Sequence, residues 1–266
     1  MPDLHHHLFQ EIQEQRPLWE YIGERTREIG VVLEPFQSIA PALIQVTGRG
    51  SSAHAALVIA GFSERMFRIP ARFFAIEDAS NEGDSLSHAE GLSYPKSVSF
   101  VVSQSGQSPD LLNAAAQLGN FSELTIAITN SVESSLSSLT DVHITLGANQ
   151  ELAVAATKTF SGSVLVGMLA VAQLVGRPKL FASQLRLAVS HFDYWLGIAR
   201  TIPEELLEDL QSTKRALIVA PPQSAPFAKE AALKLSENAG ITAIGLSPSD
   251  ALHGPLAQVT DDVTVV

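Results

Sequence analysis

The chain has 266 residues, 45% of them hydrophobic and 17% charged, which is enough to bury a large core in one domain or two packed subdomains. Lys and Arg total 17 against 28 Asp and Glu, a formal charge of −11 that would repel a polyanion, so nucleic acid is not an expected partner. The absence of cysteine removes disulfides, thiolate catalysis and Cys-ligated zinc together, and fits a reducing cytoplasm.

At the N-terminus no basic segment leads into an apolar core, so no signal peptide is read there. His5-His6-His7 reads as a solvated run rather than a metal site. Residues 4–29 carry a helical charge pattern that Pro17 either kinks or restarts, and residues 1–40 are read as an N-terminal helical arm. From residue 42 short apolar runs alternate with longer helical patterns. Residues 42–47, 71–76, 97–102, 124–128 and 142–146 read as strands, and 53–68, 109–118 and 132–139 as helices. That alternation predicts an α/β fold, with a doubly wound, mainly parallel five-stranded sheet and helices on both faces.

A long helix is read over 151–175, ended by Gly176-Arg177-Pro178, and another over 181–202. Residues 160–175 are the most apolar stretch. They fall short of the roughly 20 residues that span a bilayer and read as a core helix, so no membrane partner is expected. The alternation then restarts with a strand at 216–220, a helix at 226–239 and strands at 241–246 and 263–266. Residues 41–200 are thus expected to form a first domain, and 201–266 a second α/β subdomain that looks truncated, with its sheet completed by further residues or by a partner.

Two strand-to-helix turns carry the candidate chemistry. The first runs Gly48-Arg49-Gly50-Ser51-Ser52, and the second Ser103-Gln104-Ser105-Gly106-Gln107-Ser108-Pro109. In the second, Gly106 frees the backbone, Ser108 can N-cap and Pro109 suits the first helical position. A helix N-terminus with unpaired N–H donors and clustered hydroxyls is a phosphate cradle. Taken alone, the same residues also describe a well-capped turn. Two such turns at the carboxyl ends of strands in one sheet favour a ligand crevice.

Glu230, Lys234 and Glu237 sit at i, i+4 and i+7 and share a helical face. They read either as an exposed ion-pair ladder or, given the apolar flanks, as a carboxylate tuned by a lysine. His253, before Gly254-Pro255, is either structural or a proton donor that titrates near neutrality.

These segments, with Glu11-Ile12-Gln13-Glu14-Gln15, ELAVAATK over 151–158, ALKLSE over 232–237 and His253-Gly254-Pro255, resemble in order and spacing the sugar isomerase (SIS) family. Within it they are similar to the isomerase half of glucosamine-6-phosphate synthase. The resemblance implies a flavodoxin-like doubly wound fold in which Ser51, Ser52, Ser103, Gln104, Ser105 and Ser108 hold a sugar phosphate. Val154 and Ala156 would line the sugar site. Glu237 would be the base, Lys234 a neighbouring charge, and His253 the ring-opening acid/base, reaching the partner's site in a homodimer. It implies no cofactor and no metal. Ala220-Pro221-Pro222-Gln223-Ser224 stands where the synthase has a glycine-rich turn, and the family's C-terminal lysine has no counterpart before Val266. With no glutaminase domain and no cysteine nucleophile, the expected activity is that of a cytoplasmic glucosamine-6-phosphate deaminase. Other phosphosugar isomerases, a fructosamine-phosphate deglycase and a non-catalytic sugar-phosphate sensor are the alternatives.

Overall fold

The computed structural model describes residues 4–76, 96–260 and 262–266. Three short helices open the chain: α1 (Leu4–Gln13), α2 (Gln15–Glu24) and α3 (Thr26–Leu33). Pro17 restarts the helix rather than kinking it. It lies in the first turn of α2, where its missing N–H has no intrahelical partner to lose.

Five strands follow: β1 (Leu43–Thr47), β2 (Ala71–Phe73), β3 (Ser97–Val102), β4 (Leu124–Thr129) and β5 (Val142–Thr145). All are parallel, in the order β2-β1-β3-β4-β5. This is the expected doubly wound sheet, with its topological switch between β1 and β3. Every residue of β3 and β4 is buried, which is why both read as mainly apolar runs without polar residues facing solvent. Buried polar side chains of the sheet find partners close by. Gln45 donates to Ser99 Oγ at 3.3 Å and to Ser122 Oγ at 3.2 Å, and accepts from Arg72 Nε at 2.8 Å.

Helix α4 (Ser51–Phe67) follows β1, and α5 (Pro109–Phe121) follows β3. The read helix at 132–139 is only a 3-10 turn, Ser135–Ser138, where Ser134 accepts from Leu136 N. Four serines in this segment offer the backbone local hydrogen bonds that compete with a helix.

The long helix read from residue 151 begins at Lys158: α6 spans Lys158–Leu174. It is apolar all round because α4 packs on it from one side and α2 and α3 from another. The single helix read over 181–202 is two, α7 (Pro178–Ser190) and α8 (Phe192–Ala199), broken at His191 with ψ near 1°. A helix that the pattern did not suggest, α9 (Glu204–Ser212), starts after Pro203 with two acidic residues in its first turn.

The last strands form a separate parallel sheet, β7-β6-β8, from β6 (Arg215–Val219), β7 (Thr242–Leu246) and β8 (Val263–Val265). Helix α10 (Ala225–Ala239) lies directly on it, and a Cβ at Gly245 would stand 2.3 Å from the helix backbone at Ala228. A five-residue helix, α11 (Pro248–Leu252), precedes His253. Contacts divide the chain into two compact units, one of Phe9–Leu152 and Ala156–Val189, the other of Met1–Leu8, Ala153–Ala155 and Ser190–Val266. Among the described residues no helix is long and apolar enough to cross a membrane.

Candidate functional site

In the first turn, the carbonyls of Arg49 and Gly50 accept from Ser52 N and Ala53 N at 3.1 and 3.0 Å, closing the first turn of α4. The chain doubles back so tightly that a Cβ on Gly48 would lie 2.6 Å from the Ser52 carbonyl oxygen, so no larger residue fits. Ser51 and Ser52 thereby become the first two residues of α4, both half-buried. This is where a helix leaves N–H groups without intrahelical partners and carries its positive dipole end.

The second turn is braced from inside. Ser103 is buried, and its Oγ accepts from Gly106 N at 3.0 Å. Ser105 Oγ accepts from Gln107 N at 3.3 Å. Gly106 has φ +67°, and its carbonyl accepts from Leu136 N at 3.2 Å. The Gln107 amide is tied down by Glu133 O and Ser135 Oγ, while Gln104 is exposed. Ser108 takes the N-cap position of α5, as its place before Pro109 suggested, but its hydroxyl makes no capping bond. Below the turn, Thr129 Oγ1 donates to Ser131 O at 2.7 Å and so accepts from His143 Nε2 at 2.8 Å, which fixes the proton on that nitrogen. Burial holds the His143 pKa below its ordinary value.

Because β1 and β3 are adjacent and parallel, both turns leave the same edge of the sheet on either side of its switch point. An ion pair from Arg49 in the first turn to Asp110 at the start of α5 joins them. Neither residue stood out in the sequence. The one signal available was that Arg49 is the only Lys or Arg in residues 43–60 or 97–122.

A third segment, residues 150–158, is pinned by side chains distant in sequence. Glu151 accepts at one carboxylate oxygen from Thr157 N and Thr159 N at 3.0 and 3.1 Å, capping α6. Lys158 is buried, donates to Glu14 Oε2 and to Gln150 O at 2.8 Å, and lies 4.0 Å from Glu11 Oε1. The buried Glu11 accepts in turn from Leu152 N. Val154 is exposed and Ala156 half-buried.

On α10, Lys234 Nζ bridges Glu230 Oε1 at 3.1 Å and Glu237 Oε2 at 2.8 Å, so the three residues share a face as their spacing predicted. The buried carboxylate is that of Glu230, and Glu237 is the more open of the two. His253 is exposed at the C-cap of α11. A cavity of about 640 Å³ lies away from the two turns, at the amino ends of β1 and β2, lined by Pro41, Met66, Ile69, Leu174 and Arg177.

Comparison with known proteins gives a consistent result. Residues 41–173 match the family model described as the SIS domain. The chain is 28% identical over 279 residues to glutamine–fructose-6-phosphate aminotransferase (isomerizing) of Idiomarina loihiensis, covering 98% of this chain and 44% of that protein. It thus spans less than half the length of this relative. Among solved structures, a candidate phosphosugar isomerase from Silicibacter pomeroyi is 25% identical with a TM-score of 0.83, over 97% of this chain and 76% of that one. Glucosamine-6-phosphate deaminase from Thermotoga maritima is similar in fold, with a TM-score of 0.67 at 23% identity, over 93% of this chain and 75% of that one.

Proposed function

Because the chain belongs to the SIS domain family, we propose that it is an enzyme converting glucosamine 6-phosphate and water to fructose 6-phosphate and ammonia. The observation that carries this reading is the pair of serine-bearing turns, each entering a helix N-terminus, on either side of the β1/β3 switch point. Such a place offers N–H donors and hydroxyls to a phosphate without requiring a basic protein. In this reading Ser51, Ser52, Ser103, Gln104, Ser105 and Ser108 hold the phosphate, with Val154 and Ala156 beside the sugar.

The fixed phosphate acts as a handle for the reacting end of the sugar. His253 serves ring opening by moving a proton to the ring oxygen. Glu237 takes the proton from C2 and returns it to C1 through an enolamine, leaving an imine at C2. Water adds to that imine and ammonia departs. Lys234, bonded to Glu237, sets the charge beside the base. The proposed assembly is a homodimer in the cytoplasm.

The test measures ammonia and fructose 6-phosphate formed from glucosamine 6-phosphate by wild type and by Glu237→Gln. The reading expects turnover by wild type and a loss of about 100-fold or more in the variant. Full activity in Glu237→Gln would remove the base assignment. Phosphosugar binding without turnover of any amino sugar or ketose phosphate would make the chain a sensor.

A further inference from the structure

We propose that Arg49 is the charge that recognises the phosphate, and that Asp110 competes with the phosphate for it. This rests on the phosphosugar reading of the site and adds to it two charged residues beside the serines. A phosphate monoester near neutral pH carries between one and two negative charges. The groups that the two turns otherwise offer, hydroxyls and helix N-termini, supply only partial positive charge.

In a chain of net charge −11, Arg49 is the only Lys or Arg in the two segments that form these turns. Its partner is placed against the anion. Asp110 is the second residue of α5, so its carboxylate occupies the dipole-favoured position at the helix end that the phosphate would approach. Left uncompensated, it would repel the ligand. The Arg49 side chain, 69% exposed, reaches across from the first turn and neutralises it.

Exposure also means that the guanidinium can rotate with little loss of packing. Its five donors in a planar fork allow it to engage a phosphate oxygen pair in place of, or beside, the carboxylate. The ion pair is therefore the ligand-free partnership of a charge that serves the ligand. That role predicts opposite signs for the two partners' removal, whereas a simple clasp between turns predicts the same sign for both.

The test is equilibrium binding of fructose 6-phosphate, inorganic phosphate and unphosphorylated fructose to the full chain, using wild type, Arg49→Met, Arg49→Lys and Asp110→Asn. Thermal melts serve as a folding control, since Arg49 is exposed but Asp110 is half-buried. Arg49→Met should weaken both phosphate probes by about 10- to 100-fold, the scale of a lost charge-assisted hydrogen bond, and leave fructose unchanged. Arg49→Lys should recover part of the loss. Asp110→Asn should tighten both phosphate probes several-fold.

Equal weakening by Arg49→Met and Asp110→Asn would overturn the proposal in favour of a clasp, as would unchanged affinity in Arg49→Met. A wild type that binds neither phosphate probe would overturn the phosphosugar reading itself. Wild-type binding with no Arg49 effect would overturn only this inference.

Discussion

Replacing Lys158 by Met should strongly destabilise the larger unit. The Lys158 ammonium is buried between Glu11 and Glu14, within 4.0 Å of the first and bonded to the second. It also donates to the Gln150 carbonyl at 2.8 Å. Removing it leaves two carboxylates facing each other at a site where Glu11 is only 3% exposed. Breaking a buried ion pair from one side typically costs roughly 3–5 kcal/mol, because the remaining charge is stranded in a medium that solvates it poorly. With a urea m-value of about 2–3 kcal/mol per molar, the midpoint should fall by about 1–2.5 M.

A local reporter is built into the site. Trp19 in α2 donates to Ser161 Oγ in α6 at 3.0 Å, and the only other tryptophan, Trp195, lies on α8 in the smaller unit. In a Trp195→Phe background, Trp19 fluorescence follows the α2–α6 packing alone. Adding Glu11→Gln to Lys158→Met should restore more than half of the loss, since the stranded charge is then gone. A midpoint shift below about 0.3 M for Lys158→Met would refute the reasoning. The cluster would then contribute no more than an exposed pair, below about 1 kcal/mol.

Gly106→Ala combines a positive φ, worth about 1–2 kcal/mol, with a Cβ 1.9 Å from Ser134 Oγ, for which overpacking costs about 1–3 kcal/mol more. The sum, about 2–5 kcal/mol, should appear in urea unfolding. A double-mutant cycle with Ser134→Gly should show coupling of about 1–3 kcal/mol, and no coupling would mean that the turn relaxes freely. For His143, burial holds the folded-state pKa below 6.5, so the unfolded chain binds the proton more readily. Its contribution is complete above pH 6.5 and is lost as pH falls through the depressed value. The wild-type urea midpoint should therefore drop more between pH 7 and 5 than that of His143→Gln, and identical pH slopes would contradict this. Glu151→Ala should remove the carboxylate cap of α6 at a cost of about 1–2 kcal/mol, seen as faster amide exchange at Thr157 and Thr159.

The larger sheet was legible because its physics is local. Strands buried on both faces are mainly apolar, as Val98 to Val102 and Leu124 to Ile128 are apart from Ser99 and Thr125, and the glycine and serine turns between them mark where the chain reverses. The paired serine turns followed from the same pattern, since strand order brings consecutive βα turns to one edge. The segment from Glu151 to Thr157 was not legible. Leu152, Ala153, Ala155 and Ala156 have good helix propensity, and nothing local separates them from the helix that starts at Lys158.

What ends that helix is a set of bonds from elsewhere. The Glu151 carboxylate folds forward onto Thr157 and Thr159, and Glu11 and Lys158 hold the Leu152 amide and the Gln150 carbonyl. Glu11 and Leu152 are 141 residues apart, and Lys158 and Glu14 are 144 apart. The motif ELAVAATK and the opening EIQEQ, visible in the sequence only as two separate likenesses, are therefore two halves of one physical device. The acids of the N-terminal helices meet the lysine that closes the loop. Arg49 and Asp110 repeat the lesson at the surface, 61 residues apart and joined only once β1 and β3 pair. In both cases one cation joins segments far apart in sequence, and the two differ in burial. Lys158 and Glu11 are buried and set stability, whereas the Arg49 guanidinium is open to solvent and able to exchange partners. For that reason substitutions at Lys158 should be read out in unfolding, and substitutions at Arg49 in ligand affinity.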